Sequence, residues 1–311
     1  MLRRTLLFAS RDERVRGVVE TLPPTRSLVT RFVAGETDEQ AVHVAAGLVA
    51  QGLRATFNSL GEYVEDPARA ATTRDGFVAL AQRLADSGLT GPAYELSIKL
   101  SALGQLAGDG HARALDHAQV VCAAADKAGV LVTLDMEDHT TTDSTLAIAD
   151  ALRRDFPSVG VVLQAALRRT PADCADLARA GARVRLVKGA YREPSSVALQ
   201  RRSDVDLAYV RCLRELFRGT GYPMVATHDP RLVAIAAHLA DRHGRGQDGF
   251  EFQMLLGVRG DEQRRLAAAG YGMRVYLPFG PQWYGYLMRR LAERPANLLF
   301  LLRALAAATT S

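Results

Sequence analysis

The stretch Tyr286-Leu287-Met288-Arg289-Arg290-Leu291-Ala292-Glu293 brings together a phenol, two adjacent guanidiniums and a carboxylate. On a helix, Tyr286, Arg289, Arg290 and Glu293 stand at i, i+3, i+4 and i+7 and share one face, while Leu287, Met288 and Leu291 share another. Two guanidiniums beside a phenol make a fork for a small carboxylate, because arginine binds carboxylates through paired, charge-assisted hydrogen bonds. The plainer alternative is a solvated face with an Arg289–Glu293 ion pair, worth a few tenths of a kcal/mol.

A scaffold must present that helix. Eight short β-like runs follow one another, at Ala55–Leu60, Tyr94–Leu100, Val130–Met136, Gly160–Ala165, Val184–Gly189, Met224–Thr227, Phe250–Leu255 and Met273–Leu277. Most are apolar along much of their length, as strands covered on both faces should be. Helices are expected between them at Ala68–Ser87, His111–Ala128, Asp143–Asp155, Ala172–Ala180, Ser196–Arg218, Arg231–His243 and Asp261–Ala269. Thr170-Pro171 and Asp229-Pro230 each offer an N-cap followed by proline. Gly129 and Gly181 stand just past helix ends, where a left-handed residue is needed. Eight β–α repeats with no linker composition predict an α/β fold, a (βα)8 barrel over residues 51–311. Residues 1–50 look helical and are expected to form an arm or cap. A doubly wound sheet is the alternative, but no G-x-G-x-x-G follows the first strand.

In such a barrel the strand C-termini open onto the active-site face. The expected strand ends carry Lys99 and Ser101, then Asp135-Met136-Glu137-Asp138-His139, Gln164, Arg185 to Tyr191, Thr227-His228-Asp229, Glu251 and Gln253, and Tyr276. Charged side chains in apolar strands are costly to desolvate without partners, so their recurrence from strand to strand points to a site.

These residues resemble the FAD-dependent proline dehydrogenases in their monofunctional bacterial form, from about Phe57 to Asn297. The resemblance rests on Ser59-Leu60-Gly61-Glu62, Ser97-Ile98-Lys99-Leu100-Ser101, Leu134-Asp135-Met136-Glu137, Arg185-Leu186-Val187-Lys188-Gly189-Ala190-Tyr191, Ala226-Thr227-His228, Glu251-Phe252-Gln253-Met254-Leu255-Leu256-Gly257 and Tyr286-x-x-Arg289-Arg290-x-x-Glu293. It implies a distorted (βα)8 TIM barrel whose last helix lies over the mouth. It also implies oxidation of L-proline to Δ1-pyrroline-5-carboxylate, with a hydride passing to flavin N5 and electrons then passing to a membrane quinone. By the same resemblance, Arg289, Arg290 and Lys99 clasp the proline carboxylate. Tyr276, Tyr286 and Leu255 wall the ring, and Glu62 pairs with Arg289 as a gate. Asp135 orients the cations and tyrosines, and Arg185 sits at the flavin's reacting edge. Met136, Gln164, Val187, Lys188, Gly189, Ala190, Tyr191, Thr227 and His228 line the FAD. A bulky Tyr276 favours proline over hydroxyproline. No second catalytic domain is visible, so a separate pyrroline-5-carboxylate dehydrogenase is the expected partner.

Two other chemistries stay open. One is a Schiff-base lyase using Lys99 or Lys188. The other is a metal-dependent hydrolase using Asp135, Glu137, His139 and His228, although these lack the paired-histidine spacing of many such sites. Bulk properties are ordinary for a soluble globular protein: 311 residues, 48% hydrophobic and 23% charged, suffice for a large core. The net charge of +5 comes from scattered basic residues without an aromatic-interleaved stripe, which argues against nucleic-acid binding. Cys122, Cys174 and Cys212 form no C-x-x-C pair and read as buried thiols in a reducing compartment. The start, Met1 to Ser10, has too short an apolar run for a signal peptide, and no run is long enough to span a bilayer. The C-terminal Leu298–Leu302 run reads as a helix packed on the core. The expected location is the cytoplasm, with peripheral contact at the inner face of the membrane left open.

Overall fold

The computed structural model describes residues 29–293. Eight parallel strands close into a barrel in chain order: β1 (Arg54–Ser59), β2 (Tyr94–Ile98), β3 (Leu131–Leu134), β4 (Gly160–Gln164), β5 (Arg183–Val187), β6 (Tyr222–Ala226), β7 (Glu251–Leu255) and β8 (Gly272–Phe279). The seam between β8 and β1 is the longest ladder, running from Arg54 opposite Arg274 to Ser59 opposite Phe279. The helices are α1 (Asp38–Val49), α2 (Pro67–Asp86), α3 (Gly110–Lys127), α4 (Thr142–Asp155), α5 (Thr170–Arg179), α6 (Arg202–Arg218), α7 (Pro230–Arg242), α8 (Gly260–Ala268) and α9 (Trp283–Glu293). The expected (βα)8 barrel is therefore present, with strand and helix positions mostly within two residues of the sequence reading.

The differences have local causes. Helix α6 begins at Arg202 rather than Ser196, because the preceding residues fold back on the β4–α5 connection. An antiparallel bridge joins Leu167 and Ala198, and Leu199 donates its amide to the Ala166 carbonyl at 2.8 Å. Thr170 lies inside α5 rather than capping it; its hydroxyl donates to the Gln164 carbonyl at 2.6 Å, and Arg169 is the cap residue. Asp229 does cap α7, accepting from the Arg231 amide. Gly129 and Gly181 take φ of +68° and +65° after α3 and α5, as a helix stop of that kind requires. Strand β3 stops at Leu134, two residues short of the expectation, so Asp135, Met136 and Glu137 leave the ladder at the mouth.

The first and last helices among the described residues depart from the regular barrel pattern. Helix α1 starts with a capping box between Thr37 and Gln40, buries Ala41 and Ala45, and packs against both β1 and β8. It thus covers the seam that the eighth barrel helix would otherwise cover. Helix α9 instead joins a separate apolar cluster at the C-terminal end of β1, in which Trp283, Tyr284, Tyr286, Leu287 and Met288 meet Phe32, Val33 and Leu60. The Trp283 indole also donates to Glu36 at 2.9 Å. Its apolar face is spent there, so the last helix belongs to the mouth.

The main core lies between barrel and helices, where outward strand residues such as Phe57, Ile98, Leu134, Leu163, Leu186, Phe252 and Val275 are buried together. The barrel interior is different. Bulky branched side chains usually fill it in layers. Here Glu95, Arg185, Glu251 and Arg274 are buried inside it. Apart from Arg274 with Glu251, on the neighbouring strands β8 and β7, the ion pairs of these residues join strands that are not neighbours, as in Arg185 of β5 with Glu95 of β2, and such bonds can only cross the interior. All three cysteines are buried and free. Among the described residues, no helix is long and apolar enough to cross a membrane.

Candidate active site

Alternation along each strand sets which side chains enter the barrel. In β2 it selects Glu95 and Ser97, with Lys99 just beyond the strand, and in β5 it selects Arg183 and Arg185. The deepest pair is Arg274 with Glu251, bonded at 2.7 and 3.1 Å, and Glu251 also receives Arg54 at 2.8 Å. Above them, Glu95 accepts from Thr56 and Thr133 at 2.8 Å each, from Arg183 at 2.9 Å and from Arg185. Burial alone would push the Glu95 carboxyl up. The guanidiniums of Arg185, Arg274 and Arg183 outweigh it and hold the group well below the ordinary range.

At the mouth this column ends on Asp135. Its carboxylate accepts from Ser97 at 2.8 Å, from Arg185 at 3.0 Å and from the Tyr276 phenol at 2.6 Å, and Lys99 stands 3.8 Å away. Lys99 is fixed from the other side by the Asn58 side-chain carbonyl at 2.7 Å. The Arg185 guanidinium lies over the Tyr276 ring, 5.3 Å from its centroid. Burial first, and then the Asp135 charge, raise the Tyr276 phenol well above its usual range, so it stays a donor. Four residues singled out in the sequence thus meet on one carboxylate.

The remaining candidates divide by strand. Glu62 follows β1, Leu255 ends β7, and Tyr286 and Arg290 lie on α9, where the Arg290 guanidinium stands 5.4 Å over the Tyr286 ring. With Lys99, Asp135 and Tyr276 they make a contiguous arc from β7 through β8, β1 and β2 to β3. The side chains of Arg289 and Glu293 lie outside the described residues, as do the expected N-terminal arm before residue 29 and the Leu298–Leu302 helix.

The second arc covers β4, β5 and β6. Gln164 donates to the Glu137 carbonyl at 2.7 Å, close to Met136. Arg185, Val187, Lys188, Gly189, Ala190 and Tyr191 run along the end of β5. Gly189 has φ +112°, and a Cβ there would stand 3.2 Å from the Ala166 Cβ and 3.3 Å from the Gln164 Oε1. Lys188 bridges Asp206 at 2.6 Å and Asp229 at 3.4 Å. Thr227 and His228 follow β6 with their side chains turned to the protein. The Thr227 hydroxyl accepts from the Asp229 amide at 3.1 Å, and His228 Nε2 accepts from the Leu255 amide at 3.0 Å.

The rival chemistries find less support. Lys99 and Lys188 each sit in ion pairs, not in the apolar pocket that frees a nucleophilic amine. Asp135, Glu137, His139 and His228 have separate partners: the Arg185–Tyr276 pair, Ser101, Glu193 and the Leu255 amide. Among the described residues, no three His, Cys, Asp or Glu side chains are grouped to hold a metal. Sequence reasoning missed Glu95 and Asn58, which fix Arg185 and Lys99. Both lie at inward positions in step with Lys99 or Thr56, so strand parity was the available signal.

The chain matches the family model described as Proline dehydrogenase over residues 41–303. It is similar to the proline dehydrogenase of Deinococcus radiodurans, 40% identical over 282 residues covering 90% of each chain. It is also similar to proline dehydrogenase 1 of Bacillus subtilis strain 168, 36% identical over 305 residues covering 98% of this chain and 99% of that one. Among solved structures it resembles proline utilization A from Bdellovibrio bacteriovorus inactivated by N-propargylglycine, with a TM-score of 0.79 and 25% identity. That match covers 86% of this chain but 32% of the other, so this chain spans about a third of that longer protein.

Proposed function

The chain belongs to the proline dehydrogenase family and is an enzyme that oxidises L-proline in proline catabolism; on that premise we propose that the two arcs of its barrel mouth divide substrate from cofactor. The observation that carries this reading is the convergence of Ser97, Arg185 and Tyr276 on Asp135, with Lys99 beside it, where the arcs meet.

The substrate arc binds proline. Lys99 and the α9 arginines, Arg289 and Arg290, hold its carboxylate, each charge-assisted bond contributing about 1.5–3 kcal/mol. Tyr276, Tyr286 and Leu255 wall the pyrrolidine ring, and Glu62 closes on Arg289 once substrate is inside. Asp135 fixes Tyr276, Arg185 and Lys99 in place, so that the ring is presented in one orientation. The product is Δ1-pyrroline-5-carboxylate, which forms when the ring CH2 carbon beside nitrogen gives up a hydride and the nitrogen gives up its proton, leaving a C=N bond. The nitrogen lone pair must be free for that step, so proline reacts as the neutral amine.

FAD is the cofactor we assign to the other arc, and the residues there fit it. Arg185 keeps a buried Nε without a hydrogen-bond partner among the described residues. Gly189 lets the chain after β5 approach closely where a Cβ would crowd Gln164. Arg185, Gln164 and the Met136 backbone hold the ring system; Val187 to Tyr191 line it, and Thr227 and His228 lie toward the ribityl and pyrophosphate part. Arg185 favours the more electron-rich, reduced form. The chemistry that FAD supplies when bound is acceptance of the hydride at N5 and release of its electrons to a membrane quinone. A separate dehydrogenase takes the product onward, and the chain works in the cytoplasm, touching the membrane only at its surface. Helix α1, which precedes β1, completes the barrel by covering its β8–β1 seam.

The test is to load the chain with FAD and add L-proline without oxygen. The visible flavin absorption should bleach. If proline leaves the spectrum unchanged while a chemical reductant bleaches it, the reading fails.

A further inference from the structure

The loop from Leu60 to Asp66, between β1 and α2, carries Glu62 and a backbone outlier. Tyr63 has φ +58° although it is not glycine, and its side chain is 48% exposed. A bulky residue in that conformation is strained and persists only where the surroundings over-determine it. Burial of the Tyr63 side chain does not supply that. The backbone does: the Tyr63 amide donates to Ser101 Oγ at 3.1 Å, and the Val64 amide donates to the Ser101 carbonyl at 3.0 Å.

Ser101 is in turn held by one buried carboxylate. Its amide donates to Glu137 Oε2 at 3.0 Å and its hydroxyl donates to Oε1 at 2.5 Å. The hydroxyl therefore accepts from Tyr63 and donates to Glu137, which makes a chain of bonds with one direction and mutual strengthening. Ser101 and Glu137 are 1% and 2% exposed, so neither bond is easily replaced by water. The Glu137 carbonyl accepts from Gln164 on the cofactor arc. One line of bonds thus runs from Gln164 through Glu137 and Ser101 to the backbone beside Glu62.

We infer that Ser101 and Glu137 are positioning residues that hold the Tyr63 backbone in its strained turn and so aim Glu62 across the mouth. The inference rests on the reading of Glu62 as the gate over bound proline. Neither residue touches substrate in this scheme. Their effect passes through Glu62, so it falls on how tightly proline is held and less on the step that oxidises it.

The test uses FAD-loaded enzyme with an artificial electron acceptor. Ser101→Ala and Glu137→Gln should each raise KM for proline about tenfold, the equivalent of about 1.4 kcal/mol, while kcat falls much less. Amide exchange at Tyr63 and Val64 should become faster in Ser101→Ala. Adding Ser101→Ala to Glu62→Gln should leave KM where Glu62→Gln alone put it, because both changes disable one device. Glu137→Gln keeps nearly the same shape and serves if Ser101→Ala does not fold. An unaltered KM in the folded single variants, or KM effects that multiply in the double variant, overturns the inference. An unaltered KM in Glu62→Gln itself removes the gate and the inference together, and that result is read from the one variant alone.

Discussion

Asp135→Asn tests the centre of the site with the smallest change of shape. The native carboxylate accepts from Ser97 and Arg185 on one oxygen and from Tyr276 on the other, with Lys99 beside the second. An asparagine carbonyl can still accept from Ser97 and Arg185. Its amide nitrogen then faces the Tyr276 phenol and the Lys99 ammonium, which are both donors. The short phenol bond is lost as such, and the Lys99 and Arg185 charges lose their common counter-ion. Hydrogen bonds to charged groups contribute about 1.5–3 kcal/mol each, and Asp135 is largely screened from water, with its side chain 13% exposed. Misplacing Tyr276 and Lys99 together should therefore cost about 3–4 kcal/mol in the transition state, or roughly two to three orders of magnitude in kcat/KM. Steady-state proline oxidation with an artificial electron acceptor gives that ratio, and a flavin spectrum of the purified variant shows whether FAD is kept. FAD should be kept, since Asp135 belongs to the substrate arc. A kcat/KM within threefold of the parent, in a variant that retains its flavin, would refute the claim that Asp135 organises the site.

Three further outcomes follow from other parts of the barrel. Glu95→Gln leaves Arg183 and Arg185 without their shared carboxylate and should cost about 3–5 kcal/mol, lowering the melting temperature by about 5–8 °C. Because the folded Glu95 carboxyl lies below its unfolded value of about 4.3, its contribution is complete above that pH and is lost as pH falls through the acid range. The stability gap between parent and variant should thus shrink between pH 6 and pH 3 in denaturant titrations, and a constant gap would count against it. Tyr276→Ser should relax rejection of hydroxyproline, since it removes a ring pinned by Asp135 and covered by Arg185; unchanged selectivity in competition assays would sink the steric argument. Gly189→Ala meets both a positive φ and close contact with Ala166 and Gln164, and should lower FAD content after purification; full flavin occupancy would show that the turn is not part of the cofactor arc.

Much of this was legible from the chain because of a cost. Lys99, Asp135, Arg185 and Tyr276 drew notice as polar groups at the ends of apolar runs, where only partners justify them. The eight strands were legible for the complementary reason, that their outward faces are continuous apolar surface. What escaped depends on contacts distant in sequence. The late start of α6 comes from the Leu167–Ala198 bridge, which no local pattern announces. The packing of α1 on the β8–β1 seam joins residues more than two hundred positions apart. Glu95 was hidden by its surroundings: flanked by Tyr94 and Leu96, it reads as a blemish in a strand until the parity with Ser97 and Lys99 turns it inward. The spacing puts Tyr286 on the polar face of its helix, yet it is buried beside Leu287 and Met288.

The contents of the barrel pose a question that packing alone does not answer. A core of branched apolar residues would fill the same volume, and replacing buried ion pairs by such residues is often neutral or stabilising. The column instead sets Arg54, Arg183, Arg185, Arg274 and Lys99 against Glu95, Glu251 and Asp135, so cations outnumber carboxylates. A surplus of that sign inside low-dielectric walls raises the local concentration of anions at the open end and is costly only while the end is empty. Proline brings a carboxylate to it, and on the proposed reading the FAD becomes more electron-rich on reduction, so both would relieve the surplus. The carboxylates are not there to neutralise the column. They hold its guanidiniums in fixed directions, Glu95 from below and Asp135 from above, so that Arg185 cannot swing toward either ligand. On this argument, removing a cation and removing a carboxylate should fail differently: the first weakens what is bound, and the second leaves binding partly intact but spoils its aim.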